Sequence, residues 1–279
     1  MIRLGLIGFP LSHSLSPQLH AAALKSLGLD GEYLLYPVSP DDKAGLANLT
    51  DRLRRGELDG LNVTIPHKQN ILPLLDELTP TAQAIGASNT LFMREGRLIG
   101  GNTDVPGFLA DLEKILSPGT PGKALVFGSG GGARAVVYAL LQNGWNVTIA
   151  ALLMDQAGAL VKAFRGAAGK GSARVVPNER AGVEKGLDGV GLIVNASPVG
   201  MFPKVDESPW PDGLDFPKGV AVYDLVYNPR QTLFTRQART AGLSARTGLG
   251  MLVEQAALSF ECWTGQAPPR EAMFASVEA

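Results

Sequence analysis

The sequence predicts an α/β fold in two domains, one built on a mixed sheet and the other on a doubly wound parallel sheet. Short apolar runs alternate with helix-compatible segments along the 279 residues, a pattern typical of α/β proteins. A glycine-rich stretch at residues 128–132 joins an apolar run to a helical segment. A Pro/Gly segment at residues 117–122 separates two series of strands and helices, and such segments mark linkers.

The first series opens the chain. Its strand-like runs end at Pro, Gly or polar residues, and the predicted helix at 41–55 has acidic residues near its start and Arg54 and Arg55 near its end, as the helix dipole prefers. Two closely spaced strands after residue 87 indicate a hairpin, which makes the sheet mixed. The predicted strands are 2–8, 32–38, 58–65, 87–93 and 97–100, and the predicted helices are 16–27, 41–55 and 70–78.

The second series lies beyond the Pro/Gly segment. Its regular alternation predicts a parallel sheet covered by helices on both faces. A helical stretch from about residue 249 follows, with Leu252, Ala256 and Phe260 at helix spacing. We expect one domain at 1–105, joined by the C-terminal helices of about 249–279, and another at 106–248. The predicted strands of the second series are 124–127, 147–149, 174–176, 192–195 and 220–225.

Gly128, Gly130 and Ala133 fit the spacing G-x-G-x-x-G/A. In a dinucleotide-binding fold the first glycine makes a tight turn and the second lets the backbone approach a pyrophosphate at the helix N-terminus. The third small residue lets the helix pack closely on the strand. Glycine clusters also form ordinary strand-to-helix turns, but here a strand precedes, a helix follows, and a second apolar strand comes next. This context favours a Rossmann-like nucleotide site.

Charge and cysteine content exclude several classes of protein. The chain has 25 basic and 26 acidic residues, so no overall field attracts nucleic acid or an anionic membrane. The single cysteine, Cys262, excludes an intramolecular disulfide framework and suits a reducing compartment. The first apolar run is too short for a signal peptide, and no run approaches the roughly 20 residues of a membrane helix. We expect a cytoplasmic enzyme or binding protein.

Three polar loops of the first domain carry candidate chemistry. Ser14 and Ser16 lie between a strand end and a helix start, where they suit a carboxylate or phosphate, or simply cap the helix. Lys68 follows the strand that leads to Thr64, and a lysine partly desolvated there can perform acid–base chemistry; a solvated surface lysine is the alternative. Asp104 either pairs with Lys68 or forms an Asx turn. Three histidines supply no metal-spaced cluster, so no metal site is predicted.

Taken together and in order, the motifs of this chain resemble those of shikimate dehydrogenases. They run from about residue 5 to about residue 265, which is nearly the whole chain. Besides the glycine loop, they are residues 14–17 (SLSP), 62–68 (NVTIPHK), 86–90 (GASNT), 102–104 (NTD), 195–201 (NASPVGM), 223–227 (YDLVY) and 248–255 (GLGMLVEQ).

The resemblance implies an enzyme that reduces 3-dehydroshikimate to shikimate with NADPH, in the biosynthesis of chorismate and aromatic amino acids. It makes Lys68 and Asp104 the catalytic pair, with the first domain binding substrate and the second, Rossmann-like domain binding NADP. Ser14 and Ser16 would hold the substrate carboxylate, while Thr64, Asn89, Tyr227 and Gln255 contact its ring hydroxyls or carboxylate. The implied cofactor-binding residues are Gly128, Ser129, Gly130, Gly131, Gly132, Arg134, Ala151, Leu152, Leu225 and Gly248.

One departure from the family pattern concerns the cofactor. After the second strand of the nucleotide domain the family carries Asn-Arg-Thr, whose arginine binds the 2′-phosphate of NADP. The corresponding residues here are Ala151, Leu152 and Leu153. They supply neither a guanidinium for that phosphate nor a carboxylate for the ribose of NAD. Arg134 is a candidate for reaching a phosphate. We expect NADP from the resemblance and keep NAD as the alternative.

Three other functions are alternatives to an NADP-dependent shikimate dehydrogenase. A related dehydrogenase of quinate and shikimate that uses NAD fits the cofactor departure, whereas the serine pair Ser14 and Ser16 fits shikimate. A catalytically idle binding relative would not need both Lys68 and Asp104. An unrelated nucleotide-binding protein would not explain the N-terminal loops. The sequence leaves open whether the small-molecule enzyme is a monomer or a homodimer.

Overall fold

The computed structural model describes residues 1–116, 121–165, 169 and 171–278. The chain divides into two compact units, one formed by Met1–Gly107 with Leu252–Ala279 and the other by Phe108–Met251. The predicted linker at 117–122 lies largely outside the described residues. No helix in the described part of the chain is long and apolar enough to cross a membrane.

The elements follow one another in a regular alternation. Up to the end of the first hairpin they are β1 (Ile2–Gly8), α1 (Ser16–Ser26), β2 (Gly31–Pro37), α2 (Lys43–Arg54), β3 (Gly60–Val63), β4 (Glu77–Leu78), α3 (Pro80–Ile85), β5 (Thr90–Arg94) and β6 (Arg97–Gly101). The remaining elements are α4 (Asp104–Leu112), β7 (Lys123–Phe127), α5 (Gly131–Gln142), β8 (Asn146–Ala151), α6 (Met154–Phe164), β9 (Ala173–Pro177), α7 (Arg180–Gly186), β10 (Val190–Asn195), β11 (Ala221–Asp224), α8 (Leu233–Thr240), β12 (Ala245–Thr247), α9 (Leu249–Thr264) and α10 (Arg270–Glu278).

The first unit contains a mixed sheet in the order β2-β1-β3-β5-β6-β4. β1 pairs in parallel with β2 and β3, whereas β5 is antiparallel to both of its neighbours. Because side chains alternate across a strand, Ile7, Leu61 and Val63 share one face, where they lie in a buried cluster with leucines of α2. Tyr33 and Asn62 share the other face, where Asn62 contacts α9. The sheet therefore has helices on both sides.

The second unit contains a parallel sheet in the order β12-β11-β10-β7-β8-β9. The chain enters at β7, proceeds through β8 to β9, and returns to place β10 on the other side of β7. The strand order reverses between β7 and β10, and in such sheets ligands bind beyond the carboxyl ends of the strands at this point. The predicted fold class, a mixed sheet plus a doubly wound parallel sheet, is confirmed.

The predicted helix at 70–78 is wrong. Only Leu72–Leu74 form a short 3₁₀ turn, and Glu77–Leu78 form β4 beside β6. Pro73 lacks a backbone N–H, so it cannot continue a helical hydrogen-bond ladder. Asp76 then accepts the backbone N–H of Leu98 at 2.7 Å, which ties this segment to the sheet instead. The edge strand β12 was not predicted, because three residues are too few to show a periodicity.

Candidate functional site

Lys68 and Asp104 form an ion pair in the first unit. Lys68 lies five residues after β3, and Asp104 is the first residue of α4. The Nζ atom of Lys68 is 2.6 Å from Oδ2 of Asp104, and their side chains are 16% and 7% exposed. Asn102 Oδ1 accepts the backbone N–H of Asp104 at 3.1 Å and therefore fixes the start of α4. The sequence left open whether these two residues pair, and in the structure they do.

Asn89 holds the other carboxylate oxygen of Asp104. Its Nδ2 donates to Asp104 Oδ1 at 3.0 Å and lies 3.3 Å from Oε1 of Gln255. Its Oδ1 accepts the backbone N–H of Thr103 at 2.8 Å. A backbone N–H is always a donor, so this bond decides which end of the amide faces Asp104. Four residues with predicted roles, Lys68, Asn89, Asp104 and Gln255, are thus joined in one hydrogen-bonded cluster.

The serine loop precedes α1. Ser14 is half-buried, and its Oγ accepts the backbone N–H of Ser16 at 3.3 Å. Ser16 is buried and stands in the first turn of α1, where free backbone N–H groups favour an anion. Thr64 follows β3 and is held by its backbone N–H, which donates to the carbonyl of Ile7 at 2.8 Å. Ser14 lies in the loop between β1 and α1, Ser16 begins α1, and Thr64 directly follows β3.

Tyr227, the remaining residue predicted to bind substrate, belongs to the second unit. It follows β11 by three residues, and burial raises the pKa of its phenol. At neutral pH the phenol is therefore a neutral donor and acceptor of hydrogen bonds.

The glycine loop lies between β7 and α5 in the second unit. Gly128 has φ of 102°, and a side chain there would meet the backbone of Ala196 at about 3.0 Å. Gly130 is the N-cap of α5, and an added Cβ would face open space. The backbone is thus exposed at the N-terminus of a twelve-residue helix, where phosphate groups bind. The residues present fit the pyrophosphate of a dinucleotide.

Other predicted cofactor residues frame this loop. Ser129 Oγ donates to Oε1 of Gln156 at 2.7 Å. A side chain on Gly132 would meet Leu225 at 3.2 Å, so this glycine allows a close approach; Gly131 begins α5. Gly248 donates its N–H to the carbonyl of Val226 at 3.3 Å.

Arg134 lies one turn into α5. Its guanidinium stands 5.4 Å from the centre of the Phe164 ring, and burial lowers its pKa. The charge is therefore engaged with an aromatic face.

The turn between β8 and α6 contains no positive charge within residues 151–156, all of which the structure describes. Ala151 is buried, whereas Leu152 and Leu153 are 77% and 64% exposed. Asp155 stands in the first turn of α6. A dinucleotide ribose could rest on these exposed side chains, but a 2′-phosphate would find no cation in this turn and one nearby acid.

The sequence alone assigns no role to several residues of the hydrogen-bonded cluster around Asn89. Asn62, Thr90, Thr103 and Ser259 are all buried and hydrogen-bonded around Asn89. The alternation of β3 and the spacing of four residues between Gln255 and Ser259 place them on the right faces, but only the tertiary structure shows what those faces contact.

Comparison with known proteins gives the family. Residues 6–91 match the shikimate dehydrogenase substrate binding domain, and residues 248–278 match the shikimate 5′-dehydrogenase C-terminal domain. A shikimate dehydrogenase (NADP(+)) of Salinibacter ruber is 41% identical over 278 residues, which cover 98% of this chain and 96% of the relative. The chain belongs to the shikimate dehydrogenase family.

Two solved structures show the range of this family. The shikimate 5-dehydrogenase of Thermus thermophilus in complex with NADP(H) and shikimate is 41% identical, with a TM-score of 0.87 and coverage of 100% of this chain and 99% of that one. The quinate dehydrogenase of Corynebacterium glutamicum in complex with NAD is 32% identical, with a TM-score of 0.88 and coverage of 99% and 98%. Fold similarity alone therefore does not determine the cofactor, which depends on the residues of the site.

Proposed function

We propose that the chain is a shikimate dehydrogenase that catalyses the reversible, NADPH-dependent reduction of 3-dehydroshikimate to shikimate in aromatic amino acid biosynthesis. The observation that carries the proposal is the 2.6 Å contact between Lys68 Nζ and Asp104 Oδ2. Asn89 also holds the carboxylate of Asp104, at 3.0 Å, and reduction of a carbonyl group needs a positioned proton donor such as this lysine.

Reducing a ketone requires a hydride at carbon and a proton at oxygen. Bound reduced nicotinamide supplies the hydride. Lys68 donates a proton from Nζ to the carbonyl oxygen as negative charge develops there, and it accepts that proton in the reverse direction. Asp104 holds the ammonium of Lys68 in position, and Asn89 holds Asp104. The ketone thus becomes a hydroxyl.

The remaining residues bind and orient the substrate. We assign Ser14 and Ser16 to its carboxylate, because both hydroxyls lie at the start of α1. Thr64, Asn89, Gln255 and Tyr227 carry the hydroxyl and amide groups that recognise ring hydroxyls. We further propose that the unit formed by Met1–Gly107 with Leu252–Ala279 binds substrate and that Phe108–Met251 binds the dinucleotide.

A second candidate is a quinate and shikimate dehydrogenase that uses NAD. One observation favours it: the turn after β8 exposes Leu152 and Leu153 and carries Asp155, with no cation between residues 151 and 156. That turn suits an unphosphorylated ribose better than a 2′-phosphate. A catalytically idle binding protein is the third candidate, and the buried pair of Lys68 and Asp104 weighs against it.

The test is a spectrophotometric assay of the purified protein with shikimate and with quinate, each against NADP and NAD. The proposal expects the highest kcat/KM with shikimate and NADP. A higher kcat/KM with NAD would select the second candidate, and no activity in all four mixtures would select the binding protein.

The proposal also has consequences for location and assembly. We expect a cytoplasmic monomer or homodimer with small-molecule partners, because basic and acidic residues nearly cancel and the single cysteine suits a reducing compartment. Gel filtration with light scattering measures the assembly, and a larger oligomer would contradict this expectation.

A further inference from the structure

Ser259 occupies the centre of a buried polar cluster in the first unit. Its side chain is fully buried on α9, one helical turn after Gln255. The Oγ atom accepts from Asn62 Nδ2 at 2.9 Å and donates to the carbonyl of Gln255 at 3.0 Å. It also lies 2.8 Å from the hydroxyl of Thr90 and 3.2 Å from that of Thr103. Four polar groups from four segments of the chain thus meet at one hydroxyl.

The chemistry of these groups limits how the bonds can be arranged. A hydroxyl has one hydrogen to donate and two lone pairs with which to accept, and one lone pair of Ser259 Oγ accepts from Nδ2 of Asn62. With its hydrogen on the carbonyl of Gln255, Ser259 has one lone pair left for the hydroxyls of Thr90 and Thr103. Thr103 Oγ1 in turn accepts from Asn89 Nδ2 at 2.9 Å. Hydrogen bonds therefore connect Asn89 through Thr103 and Ser259 to the backbone of Gln255.

This chain of bonds leads to the reacting pair. Asn89 uses the same nitrogen to contact Asp104 Oδ1 at 3.0 Å, and Asp104 Oδ2 contacts Lys68 at 2.6 Å. The contacts form a ring, because the side chain of Gln255 also reaches Asn89: its Oε1 lies 3.3 Å from Asn89 Nδ2. Ser259 touches neither charged residue. It contacts the hydroxyl of Thr103, and Thr103 contacts the amide of Asn89. That amide binds the carboxylate of Asp104.

We propose that Ser259 is a positioning residue for the proton transfer, acting through Thr103 and Asn89 on Asp104 and Lys68. The proposal rests on the proposed dehydrogenase function. Without the Ser259 oxygen, the N–H of Asn62 loses an acceptor in a buried place. The hydroxyls of Thr90 and Thr103, which also lie 3.1 and 3.3 Å from Asn89 Oδ1, then lose their contact with the Ser259 oxygen. Thr103 can then shift, and with it the Asn89 amide that Thr103 contacts through its backbone N–H and its hydroxyl, so the contact of Asn89 with Asp104 Oδ1 loosens.

The test compares Ser259→Ala with a matched control on the same helix. Thr264 donates to the carbonyl of Phe260 at 2.8 Å, the same one-turn bond that Ser259 makes to Gln255, but outside the cluster. For both variants we would measure the melting temperature, kcat, KM for shikimate, and the pH dependence of kcat. We expect Ser259→Ala to lower kcat by about tenfold or more and to move the pH profile, with a smaller change in KM. Thr264→Ala should leave kcat and its pH profile unchanged.

Two further variants separate positioning from folding. Ser259→Thr keeps a hydroxyl that can bond the carbonyl one turn earlier, so it should restore most of kcat. In an Asn89→Ala background, Ser259→Ala should have little additional effect on kcat, because both residues act along one route. Additive losses would overturn that route, and a Ser259→Ala enzyme with normal kcat and pH profile would overturn the proposal. An inactive wild-type protein would instead contradict the dehydrogenase function.

Discussion

The two units bury polar groups in different ways. In the first, buried amides and hydroxyls lead through Asn89 to an ion pair that is 16% and 7% exposed, within reach of a ligand. In the second, two fully buried carboxylates tie elements together. Asp111 of α4 accepts from Tyr223 and Arg246 at 2.7 and 2.9 Å, and Asp224 links the ends of neighbouring strands. Changes in the first cluster should therefore affect chemistry, and changes in the second unit should affect stability and cofactor choice.

Removal of the Lys68 amine should produce the largest effect. Lys68→Ala should lower kcat by about 10³-fold, because proton transfer by a positioned group contributes roughly 10² to 10⁴. The dissociation constant for shikimate should change much less. The control is Lys25→Ala, in the last turn of α1. Stopped-flow kinetics and calorimetry measure the two quantities. A Lys68→Ala enzyme with near-normal turnover would remove Lys68 from the mechanism.

His20 should make the first unit sensitive to acid. Its ring is fully buried, is stacked on Tyr33 at 4.2 Å, and burial lowers its pKa to about 3. The unfolded chain takes up a proton as the pH falls below about 6.5, but the folded chain does not. The free energy of unfolding should therefore fall between pH 6.5 and 3, by roughly 5 kcal/mol at most.

Urea unfolding at pH 7.5 and pH 5 measures this loss. His20→Phe keeps a stacked ring without a titrating group, so its stability should vary less over this range. His13→Asn, at an exposed position, is the control and should behave like the wild type. If the free energy of unfolding of His20→Phe varies with pH as much as that of the wild type, another group causes the acid sensitivity.

Asp224 should change the free energy of unfolding with pH in the direction opposite to His20. Burial raises its pKa to about 6, although its oxygens accept bonds from Thr232, Val226 and Asn195. The folded chain retains this proton longer than the unfolded chain does. The contribution is therefore present below pH 3.8 and is lost as the pH rises to about 6, by about 3 kcal/mol.

Asp224→Asn removes the titration and keeps one accepting oxygen. The variant should show a steeper loss of stability on acidification than the wild type, because the opposing effect of Asp224 is gone. Hydrogen exchange of β11 at pH 4.5 and pH 7 would locate the difference in the second unit. Equal pH dependence in the variant and the wild type would contradict the raised pKa of Asp224.

The local motifs could be predicted from the sequence, but the long-range contacts could not. The glycine loop could be found because Gly128, Gly130 and Ala133 perform their tasks within one strand–turn–helix unit. The contact of Lys68 with Asp104 was one of two alternatives, and the choice required the structure. The predicted helix at 70–78 failed because Pro73 and the contacts of Asp76 with the sheet outweigh local apolar spacing.

Ser259 shows why the remaining residues were missed. A serine four residues after Gln255 marks one helix face, but nothing in the spacing reveals that Asn62, Thr90 and Thr103 meet it. Those partners lie more than 150 residues away along the chain. Such a cluster is created by the packing of α9 on the sheet, so a pattern within one element cannot predict it.

Cofactor choice gives the smallest predicted effect and tests the second unit alone. Leu152 is 77% exposed in the turn after β8, so a longer side chain there would meet no packed neighbours. Leu152→Arg should lower the dissociation constant for NADP about tenfold, because a guanidinium makes paired, charge-assisted hydrogen bonds to phosphate. The constant for NAD should stay the same, and the gain should shrink as salt screens the contact. Leu152→Gln, long but uncharged, is the control, and calorimetry with each cofactor provides the measurement. An equal gain for NAD would mean that position 152 does not lie beside the 2′-phosphate.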